Sequence, residues 1–147
     1  MRSSMTYLAA AAIGVLTVVG CGRAKPVASA AAELAGTPTY TNVTAQQLHE
    51  MLQAKDFVFV NVHVPYDGDI RGTDLSIPFD QVAEHLDQLP AEKTARIVLY
   101  CRSGRMSETA SSALVSLGYT HVFNVTGGMQ AWSAAGHPLE HRGQPQD

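Results

Sequence analysis

The residues Ile97-Val98-Leu99-Tyr100-Cys101-Arg102-Ser103-Gly104-Arg105-Met106-Ser107 run from a continuous apolar segment into a polar loop that contains one glycine. Four large apolar residues in succession suit a strand buried on both faces. Downstream, Met106, Ala110, Ala113, Leu114 and Leu117 share one helical face, and Gly118 is placed to end that helix. Cys101 is therefore expected at the carboxyl end of a buried strand, exposed at the top of a sheet, just before a helix begins.

Working outward, the same alternation recurs. Thr44-Ala45-Gln46-Gln47 fits a capping box, with Leu48, Met51 and Leu52 following at helical spacing. Phe57 to Val62 is nearly all apolar and β-branched, a second buried strand, and Leu75 to Ile77 forms a short third one after a loop rich in Gly and Asp. Asp80 is expected to open a helix through Val82, Leu86 and Leu89, stopped by Pro90. Val122 to Val125 is a further strand, and Gly127-Gly128 lead into a helix carrying Met129 and Trp132. Strands alternating with helices predict an α/β fold: an open, mostly parallel sheet with helices on both faces. The handedness of parallel crossovers then puts the Cys101 loop at the end of a central strand, where such sheets bind ligands.

The chain has 147 residues, with 10 basic against 13 acidic groups and 46% hydrophobic residues, which fits one globular domain. That charge balance offers no polybasic surface, so nucleic-acid binding is not expected. At the N-terminus Arg2 precedes the uncharged run Leu8 to Val19, too short for a comfortable membrane span and suited to a secretory signal. It closes as Val18-Val19-Gly20-Cys21, which looks like a bacterial lipobox. The reading is a signal peptide over 1–20, a lipidated Cys21 and tether over 21–38, a folded domain over 39–140 and a flexible tail over 141–147. The protein is then expected outside the cytoplasm, as a bacterial lipoprotein anchored to the cell-envelope membrane. Cys21 and Cys101 are the two cysteines. With Cys21 acylated no internal disulfide can form, and Cys101 remains a free thiol in an oxidising compartment, a setting that suggests chemistry.

A tight turn from a strand end into a helix can aim several backbone N–H groups at the sulfur of Cys101 and so favour the thiolate, as can Arg102 and Arg105 if they point inward. Gly104 permits a positive φ or the close approach of an anion. The plainer alternative is a small apolar cysteine finishing a strand between two solvated arginines. A phosphatase-type C-x5-R loop would need Arg at 107, where Ser stands, and a dithiol exchange loop would need Cys at 104, where Gly stands. The histidines at 49, 63, 85, 121, 137 and 141 show no metal-ligand spacing, so no metal is expected. A single thiolate cupped by amides fits a nucleophile that holds one transferred atom.

The segments Phe59 to Val62, Ile70 to Pro78, Tyr100 to Arg105 and Asn124 to Trp132, taken together, resemble a single rhodanese (sulfurtransferase) domain spanning about Thr39 to Glu140. The resemblance implies a rhodanese-like sheet of about five strands, a persulfide on Cys101, and a six-residue loop, Cys101 to Met106, sized for sulfur. It implies catalysis by Cys101, with Arg102, Ser103, Gly104, Arg105, Met106 and Ser107 lining the substrate site and no cofactor. The partners implied are a small sulfur-donor anion such as thiosulfate and a thiol, cyanide or protein acceptor. Two departures stand out: Asn61-Val62-His63 replaces a common Asp-Val-Arg, and Met106 stands where Arg is frequent. Losing that cation weakens the expectation of efficient thiosulfate turnover, which keeps a low-turnover sulfur-carrier or sensing module as the alternative.

Overall fold

The computed structural model describes residues 39–142. In chain order the elements are β1 (Thr41–Val43), α1 (Ala45–Gln53), β2 (Val58–Asn61), β3 (Asp69–Ile70), β4 (Leu75–Ser76), β5 (Arg96–Tyr100), α2 (Arg105–Ser116), β6 (His121–Val125), α3 (Gly128–Ala134) and β7 (Leu139–Glu140). Five strands form one sheet in the order β1-β6-β5-β2-β4, and every neighbouring pair is parallel. β3 and β7 pair antiparallel in a separate two-stranded ribbon. The expected α/β fold with a five-stranded parallel sheet is the one observed.

The period-2 geometry of β5 sorts its side chains between two cores. Ile97 and Leu99 join Val60, Val62 and Val122 beneath Ala110, Leu114 and Val115 of α2. Val98 and Tyr100 join Phe59 and Val125 on the other face, against Leu48 of α1 and Met129 and Trp132 of α3. Both faces of the central strands are thus covered, which is why they read as unbroken apolar runs.

Local signals fix the helix ends. Thr44 Oγ1 accepts from the Gln47 amide at 3.2 Å, while the Thr44 amide donates to Gln47 Oε1 at 2.8 Å. At the close of α2, Gly118 has φ of +93°. There the Tyr119 amide donates to Leu114 O at 3.1 Å and the Gly118 amide to Val115 O at 3.0 Å. This is the paired Schellman arrangement, and it delivers Tyr119 into the core beside Leu114.

The helix expected from Asp80 to Leu89 does not form. The segment is a chain of separate turns, closed by amide bonds from Gln81 to Pro78 O (2.9 Å), Glu84 to Gln81 O (3.0 Å), Gln88 to His85 O (3.1 Å) and Leu89 to Leu86 O (3.3 Å). Val82 and Leu89 are buried nonetheless. Successive i→i+3 turns between Pro78 and Pro90 carry the same side chains to the core. Strands β1, β3 and β7 had no local signal, being two or three residues long. Arg142, assigned to the tail from sequence, is tied down: its Nε donates to Asp69 Oδ2 at 3.0 Å. The expected signal and tether, with Cys21, lie outside the described residues.

Candidate functional site

From β2 the chain moves outward to β4, whereas from β5 it moves the opposite way to β6. Loops leaving the carboxyl ends of β2 and β5 therefore diverge, opening the crevice where parallel sheets place ligands. Pairing between these two strands continues to the crevice floor, where the Val62 amide donates to Tyr100 O at 2.9 Å. Cys101 is the next residue.

The thiol is not exposed as expected; Cys101 is 1% accessible. The alternation that puts Ile97 and Leu99 under α2 puts Cys101 there too, in the same core cluster. Its Sγ sits beneath the start of α2 and accepts from the Gly104 amide at 3.1 Å. Ser107, fully buried in the first turn of α2, places Oγ 3.7 Å from the sulfur and 2.9 Å from Gly104 O.

The cup around the sulfur is made by backbone. The amides of Met129 and Gln130, in the first turn of α3, donate to the carbonyls of Cys101 (2.9 Å) and Arg102 (3.0 Å). Across a trans peptide the C=O and N–H point in opposite directions, so the Arg102 and Ser103 amides are turned away from α3. Neither has an acceptor among the described residues, and nor do the first amides of α2, which starts without a side-chain cap. Such a run of free N–H groups favours an anion. Two glycines make the packing possible. Gly104 has φ of +98° and lies against the backbone of Gly127. A Cβ on Gly128 would fall 2.0 Å from Cys101 O. From sequence Gly127 and Gly128 lead into a helix; Gly128 is in addition the seat of the Cys101 carbonyl, a contact that only the fold reveals.

Of the expected site residues, Cys101, Gly104 and Ser107 converge. Met106 is half-buried against the α2-side core. Arg102, Ser103 and Arg105 are exposed on the rim. Arg102 Nε lies 3.4 Å from Asp67 Oδ2, so its guanidinium bridges to the loop after β2. His63 belongs to the same rim. Its Nδ1 is buried without a partner among the described residues, and burial holds its pKa below the ordinary 6.5, with Asp67 opposing that shift and Arg102 adding to it.

Behind the rim stands an unanticipated polar hub. Asp69 Oδ1 accepts from Asn61 Nδ2 (2.9 Å) and from the Tyr100 hydroxyl (3.3 Å). Its Oδ2 accepts from the Tyr66 hydroxyl (2.9 Å) and from Arg142. Asn61 Oδ1 in turn accepts from the His63 amide at 3.0 Å. Burial raises the Tyr100 pKa above the usual phenol value, against the hydrogen bonds from Thr73 and Ile70 and with help from Asp69, so the hydroxyl stays neutral. Two concavities, of about 550 and 480 Å³, lie away from the sulfur, beside Asp69 and Arg142 and beside Trp132 and His137. Among the described residues no three His, Cys, Asp or Glu side chains are grouped to hold a metal ion.

Comparison with known proteins agrees with this fold. The family model of the rhodanese-like domain matches residues 44–135. A sulfurtransferase of Allochromatium vinosum is 29% identical over 101 residues, covering 66% of this chain and 92% of that protein. A tRNA uridine(34) hydroxylase of Hamiltonella defensa is 31% identical over 100 residues, but those cover 63% of this chain and only 28% of the hydroxylase. The crystal structure of a rhodanese-related protein from Thermoplasma volcanium superposes with a TM-score of 0.57 at 27% identity, covering 68% of this chain and 97% of that one.

Proposed function

Because this chain belongs to the rhodanese-like family, we propose that it is a sulfurtransferase working through a persulfide on Cys101. In the charging step the Cys101 thiolate attacks the outer sulfur of a donor such as thiosulfate. A new S–S bond forms, the donor's S–S bond breaks, and sulfite leaves with the bonding pair. In the discharge step a thiolate or cyanide attacks the outer sulfur of the persulfide, and Cys101 Sγ departs as thiolate. Covalent catalysis in two halves of this kind gives ping-pong kinetics. The observation that carries the reading is the Gly104 amide 3.1 Å from Sγ, in a loop whose carbonyls are held by α3 so that its amides are free for an anion. Thiosulfate–cyanide turnover is expected for the wild type and none for Cys101→Ser. Mass spectrometry after thiosulfate treatment should find one added sulfur on the peptide containing Cys101, lost on adding cyanide. A wild-type protein that never acquires sulfur would make Cys101 a structural residue.

The sulfur-carrier alternative draws support from the rim. Arg102 is engaged by Asp67 and Arg105 is solvated, so neither guanidinium lies on the sulfur. A cup built of amides suits a singly charged persulfide better than a dianion. Loading from a low-molecular-weight persulfide faster than from thiosulfate, with little multiple turnover, would select this reading.

We further propose that Cys21 is acylated and anchors the domain through the segment 22–38, on the strength of the apolar run ending at Val18-Val19-Gly20-Cys21. Two acyl chains hold a protein stably where one is marginal. Cys21→Ser should leave the precursor unprocessed or move the protein out of the membrane fraction; unchanged processing and partition would overturn the anchor.

A further inference from the structure

We propose that Ser107 is a catalytic residue of the discharge half-reaction, its one hydroxyl hydrogen passing from Gly104 O to Cys101 Sγ as that sulfur becomes a thiolate. The inference rests on the sulfurtransferase reading and adds to it a donor that distinguishes the two states of the cysteine.

Ser107 has one hydrogen and two acceptors within reach, Gly104 O at 2.9 Å and Cys101 Sγ at 3.7 Å. The hydroxyl is fully buried, so water offers no third partner. Gly104 O does not depend on it, because that carbonyl also accepts the Glu108 amide at 3.0 Å. The hydroxyl therefore sits between an acceptor that is already satisfied and a sulfur whose charge changes during the cycle.

In the thiolate the negative charge is on Sγ. A hydrogen bond to an ionised acceptor is about twice as strong as one to a neutral acceptor, so the hydrogen turns to sulfur. In the persulfide the charge resides on the outer atom, about 2 Å further away. Sγ is then a neutral divalent sulfur and a weak acceptor, and the hydrogen returns to Gly104 O. Ser107 consequently stabilises the thiolate more than the persulfide. During discharge the S–S bond breaks and its electron pair flows onto Sγ, so Ser107 lowers the barrier where charge develops. During charging the same contact holds back the reactant thiolate and gives no assistance.

The two half-reactions therefore separate a catalytic Ser107 from a structural one. With Ser107→Ala, discharge of the loaded enzyme to cyanide should slow about tenfold, at the low end for a hydrogen bond to a charged group because the O···S separation is long. Charging by thiosulfate, compared on the plateau of each protein's pH–rate profile, should not slow. The persulfide fraction at steady state should rise, and Ser107→Thr, which keeps the hydroxyl, should restore the wild-type ratio of the two rates. Ala is a stronger helix former than Ser, and that ratio is a property of the folded molecules alone, so partial unfolding does not mask the result. Unchanged discharge in Ser107→Ala overturns the proposal, as does an equal loss in both halves, which would make Ser107 a support for the loop. Failure of the wild type to form a persulfide is a different outcome, and it sinks the sulfurtransferase reading itself.

Discussion

The two loops that meet over the end of the sheet are held by different kinds of bond. The loop after β5 is fixed by backbone: α3 amides take the carbonyls of Cys101 and Arg102, and Gly104 and Gly128 allow main chain to lie on main chain. The loop after β2 is fixed by side chains: Asn61, Tyr66 and Arg142 converge on Asp69, and Asp67 reaches Arg102. A backbone cup carries no titrating group, so it presents the same amides to sulfur at any pH, but it tolerates no added atom. A side-chain rim tolerates exchange of its exposed members and responds to pH. The proposed nucleophile is in the first loop, and the residues that can tune access or substrate charge are in the second.

The sharpest way to break the first loop is Gly128→Ala. The new Cβ would sit 2.0 Å from Cys101 O and 2.9 Å from its carbonyl carbon, so α3 and the Cys101 loop must separate. Sulfur-transfer turnover is expected to fall a hundredfold or more, since about 1 Å of misplacement at a reacting centre costs that much. A thermal melt should show a loss of stability alongside. Wild-type turnover from Gly128→Ala would mean that the anchoring of the loop on α3 is dispensable.

The corresponding attack on the second loop is Asp69→Ala. It removes one acceptor from the buried Asn61 Nδ2, which keeps Gly68 O, and one from the Tyr100 hydroxyl, which keeps Thr73 Oγ1 and the Ile70 amide, and it frees Arg142. Urea unfolding should report a loss of about 1.5–3 kcal/mol, the net worth of a hydrogen bond to a charged group. Turnover of the remaining folded protein should fall much less than in Gly128→Ala, because the cup is untouched. If the two variants lose activity equally, the division between cup and rim is wrong.

A smaller effect separates the loops by pH. His63 has its folded pKa below the ordinary 6.5, chiefly through burial. The unfolded chain therefore takes up a proton at this position first, and the His63 contribution to stability is complete above about pH 6.5 and is lost as pH falls below it toward the folded value. Replacing His63 by Gln should flatten that part of the acid limb in a series of melts between about pH 7 and 5, leaving the plateau above pH 7 unchanged. An acid limb of unaltered slope would show that His63 titrates alike in both states.

The limits of sequence reading track the range of the interactions. The Thr44 capping box and the Gly118 helix stop involve residues within five positions of one another, and both are found where the sequence puts them. The 80–89 segment carries a helical spacing of apolar residues yet folds as turns, because its ends and its buried Val82 and Leu89 are set by the sheet they cover. The Asp69 hub could not be read at all: it joins Asn61, Tyr66, Asp69, Tyr100 and Arg142, which no local pattern connects.

By itself the sequence determined the parallel α/β architecture, the strand end that bears Cys101, and the glycine that turns that strand into a helix. These follow from hydrophobic period, caps and turn chemistry, all carried by neighbours along the chain. Only the tertiary structure decided that Cys101 faces under α2, with its sulfur between Gly104 N and Ser107 Oγ, that Gly128 seats its carbonyl, and that Arg102 answers to Asp67. Which face a strand-end residue takes depends on the helices packed against both sides, and which anion an arginine meets depends on loops brought together by the order of strands in the sheet.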